Sequence, residues 1–132
     1  MIFPLKRWFW LMSFLPAAAC GKESAETVYY PAETKNNIAY GSDPKQKMDM
    51  YLPAGRSIDS TKVMVIIHGG GWREGDKSDF TPYMNSLQQR LPGYAIFNLN
   101  YRLAGDNKNL FPSQENDIKA AIEFIYSKRS EY

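Results

Sequence analysis

The chain has 132 residues, which is enough for one modest domain and not for two. Its 16 Lys and Arg residues nearly balance 14 Asp and Glu residues, without a basic stripe or a run of like charges, so nucleic acid is not an expected partner. Hydrophobic residues make up 44% of the chain and aromatic residues 14%, which excludes a disordered protein and predicts a packed core.

Residues 1–19 are predicted to form a secretory signal peptide. Two basic residues are followed by an apolar segment at residues 8–15, and Ala17–Ala19 supply the small residues of a cleavage site. The apolar segment is shorter than the roughly 20 residues needed to cross a bilayer. A buried core helix is the alternative, and Pro4, Pro16 and the terminal position disfavour it.

Cys20 is the only cysteine of the chain, so no internal disulfide is possible. A cysteine that follows three alanines resembles the lipobox of bacterial lipoproteins, in which this residue is lipidated and becomes the mature N-terminus. Ala17 departs from that pattern, because Leu is the usual residue at its position. The alternative is ordinary cleavage after Ala19, which leaves a free thiol in an oxidising compartment.

Lipidation at Cys20 predicts an exported protein that is anchored to a membrane, in the periplasm or at the cell surface. Residues 20–34 then form a tether and a first extended segment, and residues 35–132 form the folded domain. Without lipidation, we expect a soluble periplasmic or secreted protein.

Three regions of extended chain are predicted in the first half of the sequence. Short extended segments at residues 28–30 and 37–40 each end at turn-forming residues. Apolar and polar residues alternate over 47–52, which predicts a half-buried strand. The nearly continuous β-branched run at residues 62–67 predicts a strand covered on both faces, as in a parallel sheet.

A helix is predicted next, because apolar residues recur at helical spacing at Phe80, Tyr83, Met84, Leu87 and Leu91. Ser78 or Asp79 is the expected N-cap, Pro82 lies in the first turn, and Pro92 and Gly93 end the helix. Residues 94–99 are the next predicted strand.

A second helix is predicted to begin near Ser113, with an apolar face formed by Ile118, Ala121, Ile122 and Ile125. The order of elements is therefore β-β-β-α-β-α. Early antiparallel strands followed by an alternating pattern predict an α/β fold with a mixed sheet and helices on its faces.

The sequence His68-Gly69-Gly70-Gly71-Trp72 directly follows the strand predicted at residues 62–67. Three glycines leave backbone N–H groups without side chains that would block an incoming ligand atom. Two or three such donors that converge on one point stabilise the oxyanion that develops during acyl transfer. This glycine loop therefore predicts half of an esterase active site.

Glycine-rich segments also occur in proteins as phosphate loops, dinucleotide fingerprints and tight turns. A phosphate-binding P-loop needs G-x-x-x-x-G-K-[ST], which is absent from this chain. A dinucleotide fingerprint needs a third glycine where Glu74 stands. A purely structural tight turn is the remaining alternative, although such a turn rarely needs three glycines between His and Trp.

The chain resembles the N-terminal part of α/β-hydrolase esterases and lipases, including the hormone-sensitive-lipase-like and the bacterial feruloyl/acetyl-esterase-like groups. The resemblance covers residues 35–132 and rests on the glycine loop and on five further segments: Met48–Pro53, Gly71–Lys77, Asn100–Leu103, Phe111–Pro112 and Asp117–Ala121. Asn100 departs from the usual Asp, and Leu103–Asp106 departs from the L-A-P-E of many members.

The resemblance implies a role for each residue of the glycine loop. The backbone amides of Gly70 and Gly71 would form the oxyanion hole, and Gly69 would shape the turn. His68 is the only histidine of the chain, but in this family the residue at its position stabilises the loop and is not the catalytic base. Trp72 would pack under the loop. The substrate would be an ester, such as an acetyl or feruloyl ester of carbohydrate, and the resemblance implies no cofactor and no metal ion.

The catalytic Ser, acid and His of the family have no counterpart in this sequence, which contains no G-x-S-x-G. We therefore expect a partial α/β-hydrolase domain that is truncated before the nucleophile elbow, exposes an unpaired edge strand and is inactive alone. Two alternatives remain open: a separately made C-terminal half that completes the enzyme, or a non-catalytic exported lipoprotein module that binds a ligand or partner.

Overall fold

A computed structural model describes residues 28–132, so the predicted signal peptide and Cys20 lie outside the described residues. Four strands form one sheet: β1 (Glu33–Ala39), β2 (Lys47–Leu52), β3 (Lys62–Ile67) and β4 (Tyr94–Leu99). Two α-helices, α1 (Met84–Arg90) and α2 (Ser113–Ser127), are accompanied by 3-10 segments at Lys77–Tyr83 and Arg129–Glu131. Within residues 28–132, no helix is both long and apolar enough to span a bilayer.

The sheet is mixed, with the strand order β1-β2-β4-β3. The β1–β2 and β2–β4 pairs are antiparallel, whereas β3 and β4 are parallel and are connected through α1. The predicted order β-β-β-α-β-α and the α/β class with a mixed sheet are therefore confirmed. The segment predicted at residues 28–30 is not a strand, and β1 instead begins at Glu33.

The central strand β2 is buried on both faces, although its alternating pattern predicts a half-buried strand. Met48, Met50 and Leu52 pack with Phe97 in one hydrophobic cluster, and Tyr51 packs in a second cluster on the opposite face. The alternation of apolar and polar residues along β2 reflects two buried faces of different composition. One is apolar, and the other combines Tyr51 with a polar network that includes Asp49.

Strand β3 lies at the edge of the described sheet, although its apolar run predicts a strand covered on both faces. It pairs only with β4 within residues 28–132, and the side chain of Val63 is 51% exposed. An unpaired edge with apolar side chains is the feature expected where another strand docks. The predicted unpaired edge strand is therefore present in the described residues.

The helical region after the glycine loop begins earlier than predicted, because Asp76 is its N-cap. Asp76 accepts a hydrogen bond from Ser78 N, and Asp79 accepts one from Asp76 N, which completes a capping box. Pro82 lies inside the 3-10 segment, where its missing N–H removes an α-helical hydrogen bond. The α-helix proper therefore starts at Met84, and it ends before Pro92 as predicted.

Helix α2 begins at Ser113 as predicted and packs one side against the sheet. Ala121 and Ile125 are buried with Phe97 and Tyr132 in the larger core cluster, whereas Ile122 is half exposed. The predicted apolar face is thus confirmed for Ala121 and Ile125, whereas Ile122 lies outside the buried part of the helix.

Candidate active site

The glycine loop follows the carboxyl end of β3 and adopts a backbone that favours glycine. Gly70 has φ 112° and Gly71 has φ 57°, both in the left-handed region. A Cβ on Gly70 would lie 2.0 Å from the backbone oxygen of Glu74, so a side chain does not fit there. A Cβ on Gly69 or Gly71 would meet no atom within 4 Å.

The turn is closed by its own backbone, and the amides of Gly70 and Gly71 are among those that it leaves free. Arg73 N and Glu74 N both donate to Gly70 O, at 3.0 and 3.1 Å. The N–H groups of Gly70 and Gly71 donate to no acceptor among residues 28–132, and both residues are exposed. Free, exposed amides beside a Cβ-free surface are suited to bind an anionic oxygen.

His68 lies beneath the loop and is 3% exposed. Its ring stacks on that of Tyr101, with centroids 4.3 Å apart, and its Nδ1 lies 2.8 Å from Gly69 O, which assigns the N–H to this nitrogen. Among residues 28–132, neither a hydroxyl nor a carboxylate forms a hydrogen bond with the ring. These contacts hold the loop and provide no proton-transfer partner.

Tyr101, which follows β4, supports the glycine loop and was not singled out from the sequence. Its hydroxyl donates to His68 O at 2.9 Å, and the edge-on ring of Trp72 lies 5.2 Å away between centroids. Burial raises the pKa of Tyr101, so the hydroxyl keeps its proton and its donor role. Trp72 itself is 40% exposed, and its carbonyl accepts a hydrogen bond from Ala104 N. Tyr101 lies in the segment Asn100–Leu103, whose resemblance to the esterase family was the sequence signal that could have identified it.

A polar network fixes the far side of the loop to the sheet. Lys77 Nζ lies 2.6 Å from Asp49 Oδ2 on β2, and Asn98 Nδ2 on β4 donates to Lys77 O at 2.7 Å. Lys77 N donates to Asn100 Oδ1 at 2.6 Å. Asn98 Oδ1 is buried and has no hydrogen-bond partner among residues 28–132. These bonds join the segment that follows the glycine loop to the central strands.

Asn100 stands where many members of the esterase family have Asp, and its amide group can both accept and donate a hydrogen bond. It accepts from Lys77 N through Oδ1 and donates through Nδ2 to Asp76 Oδ2 at 2.7 Å. An Asp at this position would set two carboxylates against each other, whereas the amide satisfies both partners. Although burial raises the pKa of Asp76, hydrogen bonds from Ser78 and Asn100 and the charge of Lys45 lower it to about 2.

The lowered pKa of Asp76 predicts a pH-dependent contribution to stability. The carboxylate contributes above its ordinary pKa of 3.8, and this contribution is lost as pH falls toward about 2. Asp76→Asn keeps a capping oxygen and removes the charge, so we expect lower stability than wild type near pH 6 and a vanishing difference near pH 2. Urea unfolding followed by circular dichroism at stepped pH measures this. A difference that stays constant across the range would contradict the assignment.

A depression of about 380 Å³ adjoins the glycine loop and is lined by Gly69, Gly70, Glu74, Gly75, Asp79 and Phe80. It extends from the glycine loop to Asp79 and Phe80 of the 3-10 segment. Within residues 28–132, no three His, Cys, Asp or Glu side chains are grouped so that they could hold a metal ion. The polar groups at this site are backbone amides of the glycine loop and the carboxylates of Glu74 and Asp79.

Solved structures with the same fold are hydrolases of ester bonds by their descriptions. A bifunctional GH43-CE protein of Bacteroides eggerthii is 37% identical, with a TM-score of 0.60 over 75% of this chain and 13% of its own. Esterase B of Lactobacillus rhamnosis is 28% identical, with a TM-score of 0.56 over 75% of this chain and 32% of its own. A truncated form of a carbohydrate esterase from gut microbiota, at 24% identity and TM-score 0.61, shows the fold alone.

A curated kynurenine formamidase of Salmo salar is 35% identical over 52 residues, which are 39% of this chain and 17% of that protein. The chain thus spans less than two fifths of the length of each of these relatives. The family described as BD-FAE matches residues 48–132, well over half of the chain and the whole of the glycine loop. The chain belongs to the BD-FAE family, among α/β-hydrolase esterase relatives.

Proposed function

We propose that this chain supplies the oxyanion-binding part of a carboxylic ester hydrolase. The observation that carries the proposal is the pair of free, exposed amides at Gly70 and Gly71, held beyond the carboxyl end of β3. The buried stack of His68 on Tyr101 and the hydrogen bonds of Lys77 fix the loop before substrate arrives. Donors that need no rearrangement stabilise a developing negative charge most effectively.

In the proposed reaction, a serine hydroxyl attacks the ester carbonyl and its proton passes to a histidine base. The carbonyl oxygen becomes an oxyanion that accepts hydrogen bonds from Gly70 N and Gly71 N. Expulsion of the alcohol leaves an acyl-enzyme, which water then cleaves to the acid. The serine, acid and base belong to polypeptide other than these 132 residues, since no G-x-S-x-G occurs among them. The free edge of β3 is the place where that polypeptide would add its strand.

Acetyl or feruloyl esters of carbohydrate are the proposed substrates. The similarity to the GH43-CE protein of Bacteroides eggerthii supports this choice, at 37% identity. We further propose that Cys20 is lipidated after removal of residues 1–19 and that the protein is anchored to a membrane in the periplasm or at the cell surface. The order of basic residues, apolar segment, alanines and cysteine supports the anchor.

The 132-residue chain alone is expected to hydrolyse p-nitrophenyl acetate no faster than buffer, because an oxyanion hole without a nucleophile forms no acyl-enzyme. Release of p-nitrophenol at 405 nm over many equivalents of substrate measures this, with the heat-denatured chain at equal concentration as the control. Turnover above that control would contradict the assignment of the nucleophile to other polypeptide.

The oxyanion role itself is tested in a joined enzyme. In this protein, residues 28–132 replace the matching segment of the Bacteroides eggerthii esterase, which supplies the remaining catalytic residues. Recovered hydrolysis of acetylated xylan, measured as released acetate, would support the proposal. A folded joined enzyme without hydrolysis would contradict it and favour a non-catalytic lipoprotein module that binds a ligand or partner.

A further inference from the structure

The glycine loop and the N-terminal end of the described chain lie at opposite ends of the sheet. The loop follows the carboxyl end of β3, whereas Tyr30 O accepts a hydrogen bond from Gly55 N just after β2. Because β2 is antiparallel to β4, its last residue, Leu52, lies at the end where β3 and β4 begin. The side chain of Arg56 donates to Glu131 O, so the segment after α2 also lies at this end of the sheet. Six residues of β3 separate the two ends by about 20 Å.

We call the end opposite the glycine loop the basal end, defined by Tyr29, Ile58, Lys62, Tyr126 and Arg129. Three of these residues present large exposed side chains: Tyr29 is 71% exposed, Ile58 is 58% exposed and Tyr126 is 65% exposed. A groove of about 270 Å³ reaches from Ile58, Tyr126 and Arg129 to Val63 at the free edge of β3, where the strand of other polypeptide would fill its inner part. Exposed tyrosines beside aliphatic side chains are typical of surfaces that lie at the headgroup level of a bilayer.

The basal end also carries positive charge, on Arg129 and Lys62. The Arg129 guanidinium lies 4.4 Å from the centre of the Tyr126 ring, and Lys62 Nζ lies 5.6 Å from that of Tyr94. Within the described part of the chain, neither cation forms an ion pair, whereas Lys128 is neutralised by Glu131. Asp59 is the acidic neighbour in the turn that carries Ile58. Two cations against one carboxylate leave an excess that favours an anionic surface.

The length of the tether limits how far the domain lies from the membrane. From Cys20 to Val28 the chain makes eight peptide steps, which reach at most about 29 Å when fully extended. The tether enters the domain at the basal end, next to Tyr29. A Cβ built on Gly55 would lie 3.7 Å from the ring of Tyr29, which places this ring beside the turn after β2. A lipid on Cys20 therefore keeps the basal end within about 29 Å of the bilayer, and contacts of the basal end with the bilayer would place the glycine loop about 20 Å further away.

We propose that the basal end docks on the anionic bilayer in which lipidated Cys20 is anchored, so that the glycine loop faces the aqueous side. Lys62 and Arg129 are attracted to anionic headgroups, and Ile58 and Tyr126 enter the headgroup layer. This proposal rests on the lipid anchor proposed above and not on ester hydrolysis. It implies that the ester substrate approaches from the aqueous side and not from the bilayer.

The test compares the same substitution at the two ends of the sheet. Ser60→Cys lies in the turn of Ile58, and Ser42→Cys lies between β1 and β2, at the end of the glycine loop. Each full-length chain is made in a bacterium that processes lipoproteins, labelled with bimane and reconstituted into vesicles of phosphatidylglycerol and phosphatidylethanolamine. A lipid with a nitroxide on its headgroup should quench the bimane at position 60 and leave that at position 42 unchanged.

Two changes should weaken the docking without removing the anchor. The double variant Lys62→Glu/Arg129→Glu and vesicles of neutral phosphatidylcholine should each reduce quenching at position 60, the double variant lowering the docked-to-undocked ratio roughly tenfold or more. Equal quenching at both positions, stronger quenching at position 42, or none at either position would overturn the docking. The mass of the purified chain reports lipidation separately, and an unmodified Cys20 would overturn the anchor and this proposal, but not ester hydrolysis.

Discussion

Replacing Arg102 with Leu is expected to lower the free energy of unfolding by about 3–5 kcal/mol, because it leaves a buried carboxylate without its cation. Asp117 is 1% exposed and is held by Arg102 through Nε and Nη2, the latter 2.6 Å from Oδ1. Arg102 N and Gln46 Nε2 donate to the same carboxylate. Burial alone would raise the pKa of Asp117, but these hydrogen bonds hold it below its ordinary value.

Urea unfolding of the 132-residue chain, followed by circular dichroism, measures this loss. The matched control is Lys119→Ala, which breaks an exposed ion pair with Glu123 and is expected to change stability by less than about 1 kcal/mol. The double variant Arg102→Leu/Asp117→Leu should recover part of the loss, since it removes the buried charge together with its partner. A loss for Arg102→Leu no larger than that of the control would contradict the structural importance of the pair.

The second large effect, a loss of catalytic rate, is expected from Gly70→Ala. The added Cβ would lie 2.0 Å from Glu74 O, and the backbone is at φ 112°, so the turn that presents the amides has to open. In the joined enzyme, kcat for p-nitrophenyl acetate should fall by about 10²–10³-fold, as when one oxyanion donor is lost. Steady-state kinetics, with the circular dichroism spectrum as a check on folding, measure this.

The other glycines of the loop provide controls for that experiment. Gly69→Ala has no atom within 4 Å of its Cβ and needs no left-handed backbone, so kcat should stay within about twofold of the unsubstituted joined enzyme. Gly71→Ala has the same free space but φ 57°, which costs an alanine about 1–2 kcal/mol. Its effect should lie between those of the other two variants. Equal losses for Gly69→Ala and Gly70→Ala would contradict the geometry of the loop.

The glycine loop was found from the sequence because its signal is local. Residues 68–72 are contiguous, and few sites besides an oxyanion hole need this composition. The order of strands and helices was predicted for the same reason, since each element carries its own periodicity and turn residues. Asp76 was missed as a cap because Ser78 and Asp79 are equally good capping residues and lie within two or three positions of it.

What the sequence did not reveal are contacts between distant segments. Tyr101 supports the loop from 33 positions beyond His68, and Arg102 contacts Asp117 fifteen positions later. Neither spacing is periodic, so no local pattern indicates the pair. The exposed edge of β3 was predicted from the missing nucleophile segment and not from its own residues, because an apolar run records only what a strand is suited to contact. It does not state whether the partner lies among the described residues.

The position of β4 constrains the order in which the chain can assemble during synthesis. β4 lies between β2 and β3, although it follows both in the sequence, so among the described strands β3 gains its partner only when residue 99 has emerged. The loop at residues 68–72 then still lacks Tyr101, which fixes His68 and Trp72. A nascent chain that ends between residues 75 and 100 therefore carries a glycine loop without its geometry. The glycine loop therefore gains its supporting contacts only after Tyr101 has been made, about 30 residues after its own synthesis.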